Sequence, residues 1–566
     1  MSIPAPKGAG KGELPLSQKV MERDYLWMPI YPGGEKRTVE IYDAGKKTLE
    51  LAIPCAVRPE SSAAGERPFF ACLPVAAYRG RTLTFEGAPS GWVASLRCES
   101  APPSPPACPR PLLHFTPPTG WINDPNGLVL ADGIYHLYYQ YNPCDVEWGN
   151  MTWGHAHSRD MFQWEWDDPV LYPDETGTMF SGCAFRDDRN AAGFGRGRLL
   201  YYYTAAGGTN AWSDGRPYVQ YLALGASGGM RLEKTGRVMI PAIAEGNRDP
   251  KVFYHEASGA YILVLYLSGN EFALFRSSDL LHWKESQRLA LDGAWECPDL
   301  LELPVDGGGK QWVFWSADGY YFTGEFDGFR FTPTGPRRCA YAGGEPNAGG
   351  GPLRPGVTLL PYAAQTVAGM EDGRTISIAW LRTTNPPRIS DPPRTSSSSG
   401  YGTARLPYTG MMALPVELSL TEDRRIRLTP VRELDALRGR RTLLTRGAAV
   451  EMKTAFELTL TLKNGSAEAE LPAGRLEADG RSGRCRFTSA LSTREFSYAG
   501  AADSAEGLSL RLIADTGIVE IFAQDGTIAM ACETAPVLSG RVRCRINGTG
   551  EAFAAPYSLC DFSSRK

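Results

Sequence analysis

Apolar residues along this chain recur chiefly at every second position. In Gly133–Tyr141 (GIYHLYYQY), Tyr135, Leu137, Tyr139 and Tyr141 alternate with Ile134, His136, Tyr138 and Gln140. That period predicts a strand with one buried face and one face offering polar groups. Leu199–Thr204, Tyr261–Ser268, Gln311–Ser316 and Thr375–Leu381 repeat the theme. Helical periodicity is weak, its best stretch being the short Val431–Arg440 (VRELDALRGR). The 62 glycines and 43 prolines punctuate short aromatic or β-branched runs, so a chain of strands and turns is expected.

Two breaks divide the pattern. Ala101–Pro111 (APPSPPACPRP) holds six prolines in eleven residues, which stiffens an extended linker and forbids a ladder. Before it, a flexible 1–22 leads into 23–100, where Thr38–Tyr42, Thr48–Ile53 and Thr82–Phe85 suffice for a small β unit. The second break, Thr383–Gly402, is read as a long loop or linker. Beyond it Phe456–Leu462, Leu508–Leu512 and Ile518–Phe522 alternate like sandwich strands. The middle segment carries strand-rich units without a strict repeat, so pattern alone leaves a propeller and a large sandwich open.

At 566 residues, with 43% hydrophobic and 22% charged residues, the chain can bury several cores, and disorder is not its main theme. A formal net charge of −4 argues against nucleic acid or an anionic membrane as partner. No stretch approaches the apolar length of a membrane span, and the opening residues lack the apolar core of an export signal, so a cytoplasmic location is expected. The 12 cysteines are scattered without metal-ligand spacing; neither a zinc site nor a disulfide framework is expected. Only Cys297 adjoins a candidate catalytic residue.

Trp121–Gly127 (WINDPNG), Tyr139–Pro143 (YQYNP) and Trp148–Asp160 (WGNMTWGHAHSRD) mix Trp and Tyr with amides and carboxylates. Such mixtures suit sugars, whose C–H faces cover aromatic rings while hydroxyls take the polar groups; they also suit an ordinary β core. Asp-Pro is usually turn punctuation, but Asp124 is flanked by Asn123 and Asn126, and Asp249 follows Arg248. Amide donors and a fixed positive charge should keep both ionised. Glu296, between Trp295 and Cys297, is expected to have a raised pKa, as a general acid requires.

WINDPNG at 121–127, the Arg248-Asp249-Pro250 triplet and the Glu296-Cys297 pair resemble, in that order, the signature blocks of glycoside hydrolase family 32, the invertase, inulinase and levanase family. The resemblance continues through Gln140 in YQYNP, WGNMTWGHA at 148–156, Phe180-Ser181-Gly182 and Trp380. Three later blocks, at 410–420, 429–434 and 514–526, look like the entry, linker and late strand of that family's C-terminal sandwich. One departure stands out: Thr358-Leu359-Leu360-Pro361 precedes Tyr362-Ala363-Ala364-Gln365 where family members often carry an Asp-containing stretch.

The resemblance implies an all-β fold: a five-bladed β-propeller over 112–410, a β-sandwich over 411–566 and an accessory N-terminal β domain over 23–100. It also implies a retaining β-fructofuranosidase acting on levan, inulin-type oligosaccharides or sucrose. Asp124 would be the nucleophile, Asp249 the transition-state stabiliser and Glu296 the general acid/base. Asn123, Gln140, Trp148, Phe180, Ser181, Arg248 and Trp380 would line the fructosyl subsite. Retention calls for Asp124 and Glu296 about 5–5.5 Å apart. No metal or organic cofactor is implied, and the oligomeric state is left open. The alternatives are an endo-acting or fructosyl-transferring relative of the same fold, a fructan-binding protein without catalysis and, ranked third, an enzyme for phosphorylated sucrose.

Overall fold

The computed structural model describes residues 17–55, 68–342, 361–383, 406–445, 448–453, 455–497, 507–536 and 539–559. Residues 384–402 of the expected second break and Thr358–Leu360 ahead of Tyr362 lie outside the described residues. The fold is all-β. Among the described residues its α-helices are Ser90–Ser95 and the single turn Arg432–Asp435, all that forms of the expected Val431–Arg440 helix. There Arg438 reaches Glu457, at 3.0 Å, instead of prolonging the helix.

The N-terminal unit stacks a four-stranded sheet, in the order Ser17–Val20, Thr82–Glu86, Lys36–Asp43, Lys46–Pro54, against the three strands Phe69–Pro74, Tyr25–Ile30 and Arg97–Glu99. Leu26, Met28 and Ile30 meet Val39, Ile41, Leu51 and Phe85 in its core, as period-two alternation requires of two facing sheets. Cys144 and Val146, from the far side of the linker, are buried in the same core. The linker ends where Arg110 donates to Thr116 Oγ1 and to the carbonyls of Pro117 and Pro118, with its guanidinium 4.5 Å from the centre of the Tyr408 ring.

Five antiparallel sheets follow as propeller blades. Their first strands are Gly120–Ala131, Thr178–Asp187, Arg248–His255, Asp299–Pro304 and Pro361–Thr366, and each blade adds its remaining principal strands in chain order. Tyr408–Thr409 pairs in parallel with Gly120–Trp121 and ties the end of the propeller to its beginning. Residues 411–430, expected to open the sandwich, instead complete the fifth blade: Val416–Leu420 pairs with Ile376–Leu381, and Ile426–Pro430 pairs with Val416–Leu420. Their alternating Val416, Leu418, Leu420, Ile426 and Leu428 share one core with Ile376 and Ile378.

A second correction concerns Ile134–Asn142, whose alternation predicted one polar face. Beyond Ile134 every residue of the strand is buried. As an inner strand of its blade it packs on both sides: Tyr135, Leu137, Tyr139 and Tyr141 enter one core, Tyr138 a second, and His136 stacks on His155.

The C-terminal sandwich is built on two long strands, Phe456–Leu471 and Ser539–Pro556, paired along most of their length. The expected Phe456–Leu462 strand thus continues for another nine residues. Its first half pairs with Leu508–Asp515 and its second with Gly474–Asp479, so one strand joins two sets of partners.

Propeller and sandwich share a buried polar clamp. His114 Nδ1 lies 2.9 Å from Asp515 Oδ2 and its Nε2 2.9 Å from Glu520 Oε1, while the Leu112, Leu113 and His114 amides donate to Asp515. Burial alone would depress the imidazole, but the two carboxylates outweigh it and push the pKa up to about 9. A raised folded-state value contributes stability that is complete below the ordinary 6.5 and is lost as pH rises through about 9. His114→Ala should therefore cost about 3–5 kcal/mol near pH 6, because it leaves two buried carboxylates without their cation. Thermal midpoints of parent and variant, recorded from pH 6 to pH 10, should converge toward the alkaline end; a gap that holds constant would refute the ionic origin.

Candidate active site

The first strands of the first three blades lie side by side and that of the fifth closes on the first around the propeller axis; Asp299 of the fourth blade joins its neighbours through Lys251 and Thr366. Four of them are interrupted by a register shift near their start: between Ile122 and Pro125, between Phe180 and Gly182, between Arg248 and Lys251, and between Tyr362 and Gln365. A bulge bends its strand and re-aims the extra side chain. Here the residues within the shifts are Asn123 and Asp124, Ser181, Asp249 and Pro250, and Ala363 and Ala364. Glu296 belongs to the turn that precedes the fourth blade's first strand. Several of these positions adopt the left-handed backbone region, with φ of 61° at Asp249, 44° at Glu296, 39° at Cys297 and 53° at Ala363, a strain of about 1–3 kcal/mol each that surrounding structure must hold in place. Gly127 needs the same region, at φ 51°, and a Cβ there would press on the Tyr138 and Trp153 rings. Its role is close ring packing.

The three carboxylates converge. Ser181 Oγ donates to Asp124 Oδ2 at 2.9 Å. Cys297 Sγ lies 3.8 Å from Asp124 Oδ2 and 3.5 Å from Asp249 Oδ2, and the Cys297 amide donates to Asp249 Oδ2 at 3.1 Å. Glu296 is gripped on both oxygens: Arg248 Nη2 stands 2.5 Å from Oε1, and the Tyr362 hydroxyl donates to Oε2 at 2.6 Å. Arg248 is itself oriented by the Gly246 carbonyl, at 2.7 Å, and lies over the Tyr266 ring. The Asp249 amide donates to Thr204 Oγ1, which in turn donates to Gln220.

The electrostatics invert the expectation for Glu296 and raise both aspartates, with Asp124 still mostly ionised at neutral pH. Burial and the neighbouring charge of Glu296 push Asp124 up to about 6, against the opposing bonds from Ser181 and Asn123. Burial, followed by the charges of Glu296 and Asp124, also pushes Asp249 up despite Arg248. Glu296 goes the other way. Burial would raise it, but the Arg248 charge and the bonds from Tyr362, Arg248 and Trp295 outweigh burial and hold it below the usual carboxylate range. The expected apolar surroundings are thus overruled by a cation 48 residues away in the chain. Burial, with the Asp249 and Asp124 charges, pushes the Cys297 thiol far up, so it stays protonated between the two carboxylates.

The remaining candidates occupy the rim and the layer behind. Asn123 Oδ1 accepts from the Trp121 indole at 3.0 Å. Gln140 is buried, with its amide nitrogen donating to the Met179 carbonyl and, once Asn126 is assigned the orientation its neighbours require, to Asn126 Oδ1. Trp148, 52% exposed, sets its ring 6.1 Å from Phe180, which packs edge-on against Tyr218. Trp380 stands 5.9 Å from Trp121 and 6.2 Å from Tyr362.

Residues that sequence reasoning does not single out join them. Tyr362 belongs to the Tyr-Ala-Ala-Gln block, where nothing local marks it as a partner of Glu296. Arg382, two positions past Trp380, stacks 3.4 Å from the Tyr362 ring centre and lies 3.7 Å from Asp318. Burial and the nearby Glu296 charge push Asp318 up to about 6, against Arg382.

The profile of the glycosyl hydrolases family 32 N-terminal domain matches residues 114–430, more than half of the chain. The chain is 34% identical over 362 residues to a levanase of Bacillus subtilis, a match covering 58% of this chain and 48% of that protein. It is 35% identical over 268 residues to an extracellular exo-inulinase of Aspergillus niger, covering 40% of this chain and 49% of the other. The matches thus span about half the length of these relatives. In three dimensions the crystal structure of the exo-inulinase from Aspergillus awamori superposes with a TM-score of 0.65 at 22% identity, over 79% of this chain and 98% of the other, which speaks for the fold. Five blades, three convergent carboxylates carried by the WINDPNG, Arg-Asp-Pro and Glu-Cys blocks, and a profile that ends where the fifth blade does agree: the chain belongs to glycoside hydrolase family 32.

Proposed function

We propose that this chain is a retaining β-fructofuranosidase that releases terminal fructose from levan, inulin-type oligosaccharides or sucrose. The observation that carries the reading is the convergence of Asp124, Asp249 and Glu296 within one bonded cluster, beside the aromatic rim of Trp148, Phe180 and Trp380. Likeness to proteins named levanase and exo-inulinase supports the substrate class.

In this reading Asp124 attacks the anomeric C2 of the terminal fructosyl unit while Glu296 gives its proton to the departing glycosidic oxygen. A carboxylate ester forms as the C2–O bond breaks. Water, deprotonated by Glu296, then attacks C2 from the opposite face and frees Asp124, with net retention. Asp249 holds ring hydroxyls more tightly as oxocarbenium character grows, so it acts on turnover more than on binding. Asn123, Gln140, Trp148, Phe180, Ser181, Arg248 and Trp380 shape the fructosyl subsite. Because Arg248 pairs with Glu296, substrate must weaken that pair before Glu296 can hold the proton it donates.

Product chromatography on sucrose, inulin and levan in parallel tests the proposal. Fructose as the sole early product from the polymers is expected. Longer oligomers would replace the exo reading with an internal cut, new saccharides would replace it with transfer, and no turnover of any of the three would end it.

A further inference from the structure

The N-terminal β unit is joined to the propeller by more than its linker: besides Tyr25 on Asp168 and Tyr172 on its core, it holds two loops. The first is Pro143–Asn150, which carries Trp148. Cys144 and Val146 of this loop lie in the core of the N-terminal unit. Lys36 reaches Asp145 and Glu147, at 2.8 and 2.7 Å. Lys46–Pro54 is the edge strand of its sheet, and Asn150 caps that edge: the Ala52 amide donates to Asn150 Oδ1 at 2.7 Å, and Asn150 Nδ2 donates to the Ala52 carbonyl at 2.8 Å. A side-chain amide here takes the place of a neighbouring strand. Asn150 itself is in the left-handed region, with φ 47°, a conformation that Asn tolerates and its contacts hold.

The second loop joins Arg198–Ala206 to Tyr218–Ala226. The Trp212 amide donates to Glu50 Oε1 at 3.1 Å, and Lys47, paired with both Glu40 and Glu50, lies 5.2 Å from the Trp212 ring centre. The strand that follows begins at Tyr218, whose ring packs on Phe180, and Phe180 precedes the Ser181 that bonds Asp124.

We infer that the N-terminal unit is a working wall of the substrate site: by fixing both loops it steadies the Trp148 and Phe180 walls of the fructosyl subsite and sets the exposed outer face of Trp148, with Tyr218, against the saccharide beyond the terminal fructose. The inference rests on the fructosidase reading above. Asn150, Lys36, Glu50 and Lys47 are positioning residues in it, acting through the loops and not touching the reacting atoms. Losing their grip removes contacts made equally in ground and transition states, whose signature is a raised KM at unchanged kcat.

The test compares parent, Asn150→Ala and Lys47→Ala in the full chain on sucrose and on β-fructo-oligosaccharides of increasing length. Hydrogen exchange is followed over 143–150, 207–217 and the strand 120–131. For the longer sugars KM should rise about three- to tenfold, the worth of one aromatic contact. The kcat should change less than about twofold, with a smaller effect on sucrose and faster exchange in the two loops alone. The two variants break separate contacts, so one poorly folded protein leaves the other to decide. KM values that do not move, or that move equally for every length, would overturn the inference while leaving the fructosidase reading intact. A parent without activity on any of these sugars would overturn both.

Discussion

Asp124→Asn is expected to lower kcat on sucrose or fructo-oligosaccharides by about 10⁴-fold or more while KM changes little. The substitution keeps the shape of a buried side chain whose oxygen accepts from Ser181 and faces the Cys297 thiol, so the propeller should fold as before. What disappears is the electron pair that forms the ester with C2. An amide oxygen is too weak a nucleophile to replace it, and neither Asp249 nor Glu296 can substitute, since each is fixed by partners of its own, the Cys297 amide on one and Arg248 with Tyr362 on the other. Steady-state rates with unchanged circular dichroism check the loss. Retention is checked in the parent, where early NMR spectra of the hydrolysis should show β-fructofuranose before mutarotation. An Asp124→Asn variant retaining a tenth of the parent rate would remove Asp124 from the role of nucleophile.

Much of the architecture can be read from alternation, because a blade strand is short and one residue's slip would turn its apolar set outward. Leu199–Thr204 and Tyr261–Ser268 lie within Arg198–Ala206 and Ala260–Ser268. Alternation does not announce which blade a strand joins. Val416–Leu420 reads equally well as the start of a sandwich, and only its pairing with Ile376–Leu381 puts it in the propeller. Nor does it reveal that both faces of Ile134–Asn142 are covered, since tyrosines and histidines serve a core as well as a surface.

At the site, local motifs bring Asp124, Asp249 and Glu296 to notice, but their electrostatics are written in residues far apart in sequence. Trp295 and Cys297 suggest an apolar Glu296; the partners that decide its charge are Arg248 and Tyr362, 48 and 66 positions away. The contacts of Lys36 with Asp145 and of Glu50 with Trp212 bridge more than a hundred positions. No spacing rule connects them, which is why the N-terminal unit carries no functional signal in the sequence.

Glu296→Gln should lower kcat by about 10²- to 10⁴-fold, the contribution of one positioned acid. The loss should be greatest for substrates with a sugar leaving group and least for an aryl β-fructofuranoside whose leaving oxygen needs no proton. The pH dependence makes this prediction specific. In the parent, Glu296 is held low by Arg248 while Asp124 is raised to about 6, partly by the charge of Glu296. The reactive form, with Asp124 ionised and Glu296 protonated, is then a minority arrangement of a cluster that shares its protons, and apparent pKa values belong to that cluster. Activity as kcat/KM should accordingly peak on the acid side and fall as pH rises past about 6, where the proton shared between Asp124 and Glu296 is lost. A glutamine in place of Glu296 has no proton to lose and no charge to raise its neighbour. The residual kcat/KM of Glu296→Gln should lose the alkaline fall and keep a single rise as Asp124 ionises, at a pH below the parent's alkaline limb because the Glu296 charge no longer raises Asp124 while burial still does. A variant that keeps the parent's alkaline limb would place the titrating acid elsewhere; Asp318, also raised to about 6 and within the influence of Glu296 and Arg382, is the group then to be replaced.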